Sequence, residues 1–145
     1  MKPKRKSIPR KIQLAVWFRD NWTCKYCGTP VIFSPTLKLL NELSPNHGYY
    51  HQHGKATEML HWFQWKWASV DHIEPFSSGG SDLIENFTTA CWECNLNMND
   101  TPVSKKLKPI RTNENSEMVN WDGLSSLYVK LSKKNDSWVK LLKEY

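Results

Sequence analysis

The chain has 145 residues, 39% hydrophobic and 23% charged, with eight Pro and six Gly, which suits one globular domain over residues 1–145 with a buried core. No apolar run approaches the roughly 20 residues that a membrane-spanning helix needs, so a membrane protein and a membrane partner are excluded. The net charge of +6 is unevenly placed: residues 1–25 carry +7, residues 26–100 carry −5 and residues 101–145 carry +4. That layout suits a polyanion held by basic ends while an acidic middle holds a cation such as a metal ion.

Residues 1–8 read as a flexible basic arm, and no apolar segment with a small-residue cleavage site follows MKPKRKSIPR, so a reducing cytoplasm is the expected compartment. From Pro9, a first-turn residue, RKIQLAVWFRD predicts a helix with Ile12 and Val16 inward and Asn21 as its stop. Ser34-Pro35 predicts a cap and first turn for a helix over Thr36–Leu43. Residues 44–56 predict a loop. TEMLHWFQWKW fits a helix by Met59, Trp62 and Phe63 and a strand by Phe63, Trp65 and Trp67, and both readings stay open. Strands are expected over Ala68–Ile73 and Phe87–Ala90, with the loop PFSSGGSD between them and a helix starting near Glu93. Residues 103–145 read as a helical extension, with helices expected over Trp121–Leu131 and Asp136–Tyr145.

All four cysteines fall in two C-x-x-C pairs, Cys24/Cys27 and Cys91/Cys94, with 63 residues between the pairs. Two knuckles of this spacing complete a closed tetrahedral four-cysteine site for structural Zn2+. Gly28 supplies the positive φ that a tight knuckle needs. A redox pair would need only one C-x-x-C and a thioredoxin-like βαβ pattern, and disulfides disagree with the compartment.

Between the knuckles lies VDHIEPFSSGGSDLIENFTTACWECN. Asp71-His72 at the end of a strand, Gly79-Gly80 in the loop, Asn86 before the second strand and Asn95 after the last cysteine resemble the HNH endonuclease family. The flanking RDNWTCKYCG is similar to the zinc-bearing members. The resemblance spans residues 10–33 and 68–102 and implies an α+β fold, a small ββα-metal core with a four-cysteine zinc site and flanking helices. It implies His72 as general base and Asn86 as the residue that fixes the loop and orients the His72 ring.

The chemistry fits these residue types. Phosphodiester hydrolysis needs a base to deprotonate water, a task suited to histidine, and a cation for the charge developing on oxygen. Asp71, an anionic oxygen ligand, and Asn95, a neutral one, would hold Mg2+ or Mn2+. Adjacent strand residues face opposite ways, so Asp71 and His72 predict a bulge or a strand end. Met98 stands where the family often carries Lys, which removes an expected phosphate contact, and Asn99 fits a helix C-cap better than an extra ligand.

Residues 34–67 read as an insertion holding four of the five His and three of the eight Trp. Its aromatic run fits core better than base stacking, GYYHQHGK fits nucleic-acid contact, and His51-x-His53 lacks the partners a second metal site needs. The expected function is metal-dependent endonuclease action with double-stranded DNA as substrate. An inactive zinc-dependent DNA-binding module and an HNH-type ribonuclease remain the alternatives.

Overall fold

The computed structural model describes residues 7–51, 61–75, 79–98 and 120–145. Helix α1 (Arg10–Arg19) starts one residue later than expected, with Pro9 at its N-cap accepting from the Gln13 amide at 3.0 Å. Leu14, Val16 and Trp17 are its buried residues, whereas Ile12 is only half-buried. The expected Ile12/Val16 stripe fails because α1 is covered on more than one side, by a hairpin and by the last helix, so burial does not follow a single face. Asn21 and Trp22 end it in left-handed conformations, φ 53° and 51°, with the indole of Trp22 fully buried.

The chain then folds back on itself through the cysteine knuckle, where Thr23 bridges Pro30, and Ile32 pairs in parallel with Trp67. Helix α2 (Ser34–Leu43) carries its proline in the first turn, although Phe33 rather than Ser34 holds the N-cap position. In the described part of the open segment, helix α3 (His61–Trp65) answers for helix up to Trp65, and Trp67 then bridges to Ile32. The helix also corrects the expectation of a buried aromatic run: Trp62 and Trp65, one turn apart on the same face, are 60% and 45% exposed. Trp67 is half-buried between Tyr50 and Trp92, with ring centroids 5.4 and 5.8 Å away.

Strand β1 (Ala68–His72) pairs antiparallel with β2 (Phe87–Cys91), Ala68 opposite Cys91 and His72 opposite Phe87. A 3-10 turn over Ile84–Asn86 precedes β2, and helix α4 (Trp92–Met98) follows it without a break and packs on both strands. Helices α5 (Ser125–Leu131) and α6 (Ser137–Leu142) close the chain, each shorter than the sequence predicts. Trp121 to Leu124 form no helix because they are bonded elsewhere. The Trp121 indole donates to the Val31 carbonyl at 2.8 Å, the Phe33 amide donates to Gly123, and Thr36 donates to the Leu124 carbonyl. Gly123 has φ +67°, and a Cβ there would lie 2.2 Å from the Trp22 ring, so the position admits only glycine.

The core gathers Trp17, Trp22, Phe33, Tyr128 and Trp138, with Trp17–Trp22 centroids at 5.2 Å and Phe33–Trp138 at 5.0 Å in an edge-on contact. The architecture is α+β, as expected, a two-stranded sheet among helices. Most of the 1–8 arm, residues 103–119 of the extension, His53, Asn99 and the side chain of Met98 lie outside the described residues.

Candidate active site

Cys24 and Cys27 sit in the turn after α1, Cys91 ends β2 and Cys94 lies in the first turn of α4, so strand pairing brings the two knuckles together. Gly28 adopts φ +79° as expected and its amide donates to the Cys24 carbonyl at 2.8 Å. The four sulfurs lie within 4.8 Å of one another, and Cys27 Sγ is 3.9 Å from Cys91 Sγ. Sulfurs about 2.3 Å from a shared tetrahedral zinc ion would be about 3.8 Å apart.

Electrostatics agree with the geometry. Hydrogen bonds from Cys27 and Cys91 hold the Cys24 thiol down to about 2, making it the thiolate of the group. Hydrogen bonds with Cys24 and Cys27 push Cys91 well up, and burial followed by the Cys24 charge pushes Cys94 up to about 12. The protein alone therefore accommodates little thiolate charge here, and four thiolates call for a cation of high charge. The donor set fits a structural zinc ion.

This cluster is joined to the predicted catalytic residues through Tyr26, which lies between the first two cysteines. Its hydroxyl donates to Asp71 Oδ2 at 2.8 Å in a buried contact. Burial, then the neighbouring Asp71 carboxylate, raises the Tyr26 phenol well above its ordinary range, so it remains a proton donor. The knuckle is also stitched to the edge of β2. The Lys25 amide donates to the Thr89 carbonyl at 3.0 Å, and the Thr89 amide donates to Asp20 Oδ2 at 3.0 Å. Arg19 grips Asp20 and donates to the carbonyls of Ile84 and Phe87.

β1 stops at His72, so the strand end meets the expected requirement, and the one-to-one register leaves no bulge within it. Asp71 and His72 reach different partners. His72 is 2% exposed, its ring edge-on to Phe87 with centroids 4.9 Å apart, and its Nε2 lies 2.9 Å from Asp82 Oδ1. Asn86 uses its amide on the loop: Oδ1 accepts from the Glu74 amide at 2.9 Å, while Nδ2 donates to the carbonyls of Glu74 and Ser81 at 3.0 and 2.7 Å. Gly80 completes this loop, since a Cβ there would lie 1.8 Å from the Glu74 carbonyl oxygen. Asn95 is half-buried in the first turn of α4, one residue after Cys94.

Sequence reasoning passed over Tyr26, Asp82, Arg19 and Asp20. Each stands within or beside a motif, but the contacts that place them, to Asp71, His72, Phe87 and Thr89, reach 10 to 69 residues along the chain. A cleft of about 650 Å3 is lined by residues of α2, α5 and α6 with Arg10, Tyr50 and the Ser132–Asp136 loop, and shares no residue with this site.

A two-stranded antiparallel hairpin followed directly by a helix, beside four cysteines able to hold zinc, defines a small ββα-metal core. Residues 63–101, from α3 through both strands to just past α4, match the family model of the HNH endonucleases. The match points to the nuclease class in general and is consistent with nucleic acid as the partner class. No curated protein and no solved structure matches the chain. Among the described residues, no helix is long and apolar enough to cross a membrane.

Proposed function

We propose that this protein is a metal-dependent endonuclease that hydrolyses phosphodiester bonds of double-stranded DNA in a reducing cytoplasm, with His72 as general base. The observation that supports this reading best is the placement of His72. It sits at the end of β1, buried against Phe87 and bonded to a loop that Asn86 ties shut, inside the segment that matches the HNH family. His72 takes a proton from water as the water oxygen attacks phosphorus and the bond to the 3′ oxygen breaks, leaving 5′-phosphate and 3′-hydroxyl ends. Asp71, steadied by Tyr26, and Asn95 would hold Mg2+ or Mn2+, which when bound neutralises charge on the phosphate oxygens. Asn86 acts by closing the loop rather than by touching substrate. Residues 34–67, with α2 and α3, elaborate this core, and the basic segments at 1–25 and 101–145 supply phosphate contacts.

Plasmid DNA and RNA incubated side by side with Mg2+ or EDTA test the reading. The parent cuts DNA in Mg2+ and fails in EDTA. His72→Ala binds DNA as the parent does but cuts about 10² to 10⁴ times more slowly. Cleavage of RNA alone, or parental cutting by His72→Ala or in EDTA, would sink it.

A further inference from the structure

A histidine base must present an unprotonated nitrogen to water, so something must decide which of its two nitrogens keeps the proton. In this chain Nε2 of His72 lies 2.9 Å from Asp82 Oδ1, while the ring itself is shielded, its side chain 3% exposed against 55% for Asp82. A carboxylate has only acceptor capacity at neutral pH, which makes the ring nitrogen the donor. We propose that Asp82 is a positioning residue for His72, whose carboxylate accepts a hydrogen bond from Nε2 and so holds the ring in one orientation and one tautomer for its work as base. This deepens the reading of His72 as base and rests on it.

The loop between the strands gives Asp82 its place. The Gly80 amide donates to the Pro75 carbonyl at 3.0 Å, and the close approach of Gly80 to the Glu74 carbonyl excludes any side chain there. Asn86 then holds both ends of the turn, through Glu74 on one side and the Ser81 carbonyl on the other. Asp82 follows Ser81 directly, so the contacts that close the loop also deliver its carboxylate to the His72 ring. Asn86 therefore orients the ring through the loop, while the direct bond comes from Asp82. Phe87, edge-on to the imidazole, limits rotation of the ring about that bond.

Partners that orient a metal-ligating histidine contribute about 10- to 10²-fold to activity, and the same scale is expected for a partner that orients a histidine base. Asp82→Ala is expected to lower kcat by that factor with little change in KM, zinc content or thermal midpoint, since Asp82 is more than half exposed. Asp82→Asn keeps an acceptor oxygen and should recover part of the loss. If Asp82 acts through His72, Asp82→Ala adds no further loss in a His72→Ala background, as a double-mutant cycle would read.

Imidazole nitrogen NMR signals report the tautomer without any cleavage. The parent should show His72 protonated at Nε2, and Asp82→Ala should lose that preference. An unchanged tautomer in Asp82→Ala overturns the inference. So does an equal loss of rate in both backgrounds, which would make Asp82 an independent contributor, or faster cutting, which would make it a shield over the base. A His72→Ala protein that cuts like the parent, with the tautomer shift intact, overturns instead the reading of His72 as base.

Discussion

The two ends of α1 are held by different physics. At Arg10 the guanidinium lies 4.7 Å above the Trp138 ring and donates to Ser137, beside the aromatic cluster of Trp17, Trp22, Phe33 and Tyr128. At Arg19 the guanidinium bonds to Asp20 and to the carbonyls of Ile84, just before β2, and Phe87, its first residue, and Asp20 in turn takes the Thr89 amide. The helix is about 15 Å long, so these regimes lie within one small molecule. Packing of rings tolerates small shifts, whereas hydrogen bonds and thiolate ligation fix positions to tenths of an ångström. The proposed chemistry sits on the directional side. Two five-residue strands and a seven-residue helix are too short to hold a catalytic group by packing alone.

Removing metal should have the largest effect, and on the directional side. Binding of structural zinc by four thiolates contributes about 10–16 kcal/mol in small zinc domains. Chelation, or Cys24→Ser, is therefore expected to unfold the hairpin and abolish cleavage together, with about one zinc per chain in the parent by elemental analysis. Parental melting behaviour without zinc would show that the aromatic side carries the whole fold.

The aromatic side should fail differently. Trp138 contacts Trp17, Phe33 and Arg10, and Trp138→Ala should cost about 3 kcal/mol in a denaturant titration. Below its lowered midpoint the variant should keep its zinc and cut DNA at about the parental rate. A rate loss that persists at temperatures where the variant is fully folded would show that the two ends of α1 are coupled.

The same division explains how much was legible in the sequence. The cysteine knuckles, both strands and the helix after Cys91 were readable because their signals are local: fixed ligand spacing, β-branched runs and a motif in order. The positive φ of Gly28 belongs to that class. Partnerships across the fold were not readable. Tyr26 in CKYC looks like an interchangeable knuckle residue until β1 brings Asp71 to its hydroxyl, and Asp82 looks like ordinary loop polarity until the Asn86 clamp brings it to His72. The misread burial of α1 and α3 has a related cause. Ile12 lost its place because α1 is buried on two sides, and Trp62 and Trp65 face outward because α3 is a short helix with its inner positions taken by Phe63 and Gln64. Periodicity predicts a face, but only the neighbours decide which face is covered.

The smallest expected effect lies where the aromatic side uses one directional contact of its own. Asp136 is the N-cap of α6, accepting from the Val139 amide at 2.9 Å and from the Tyr128 hydroxyl. Burial alone would raise its carboxyl, but the bonds from Tyr128, Val139 and Trp138 outweigh this and hold it below the ordinary value of 3.8. Burial, then this bond to Asp136, raises the Tyr128 phenol to about 12, so it stays a donor across the neutral range. Asp136→Ala should cost about 1 kcal/mol, as loss of an N-cap does. For a chain of this size that lowers the thermal midpoint by about 3 °C. The sign of the pH dependence follows from the lowered value: the charged form is favoured in the folded state, so the contribution is fully present above the ordinary carboxyl range. It drains away as pH falls through the folded value. Melting curves of parent and Asp136→Ala should therefore lie furthest apart at neutral pH and converge in acid, while zinc content and cleavage stay at the parental level. Curves that separate further in acid would mean that Asp136 is held neutral, and that this end of the molecule has no charged contact of its own.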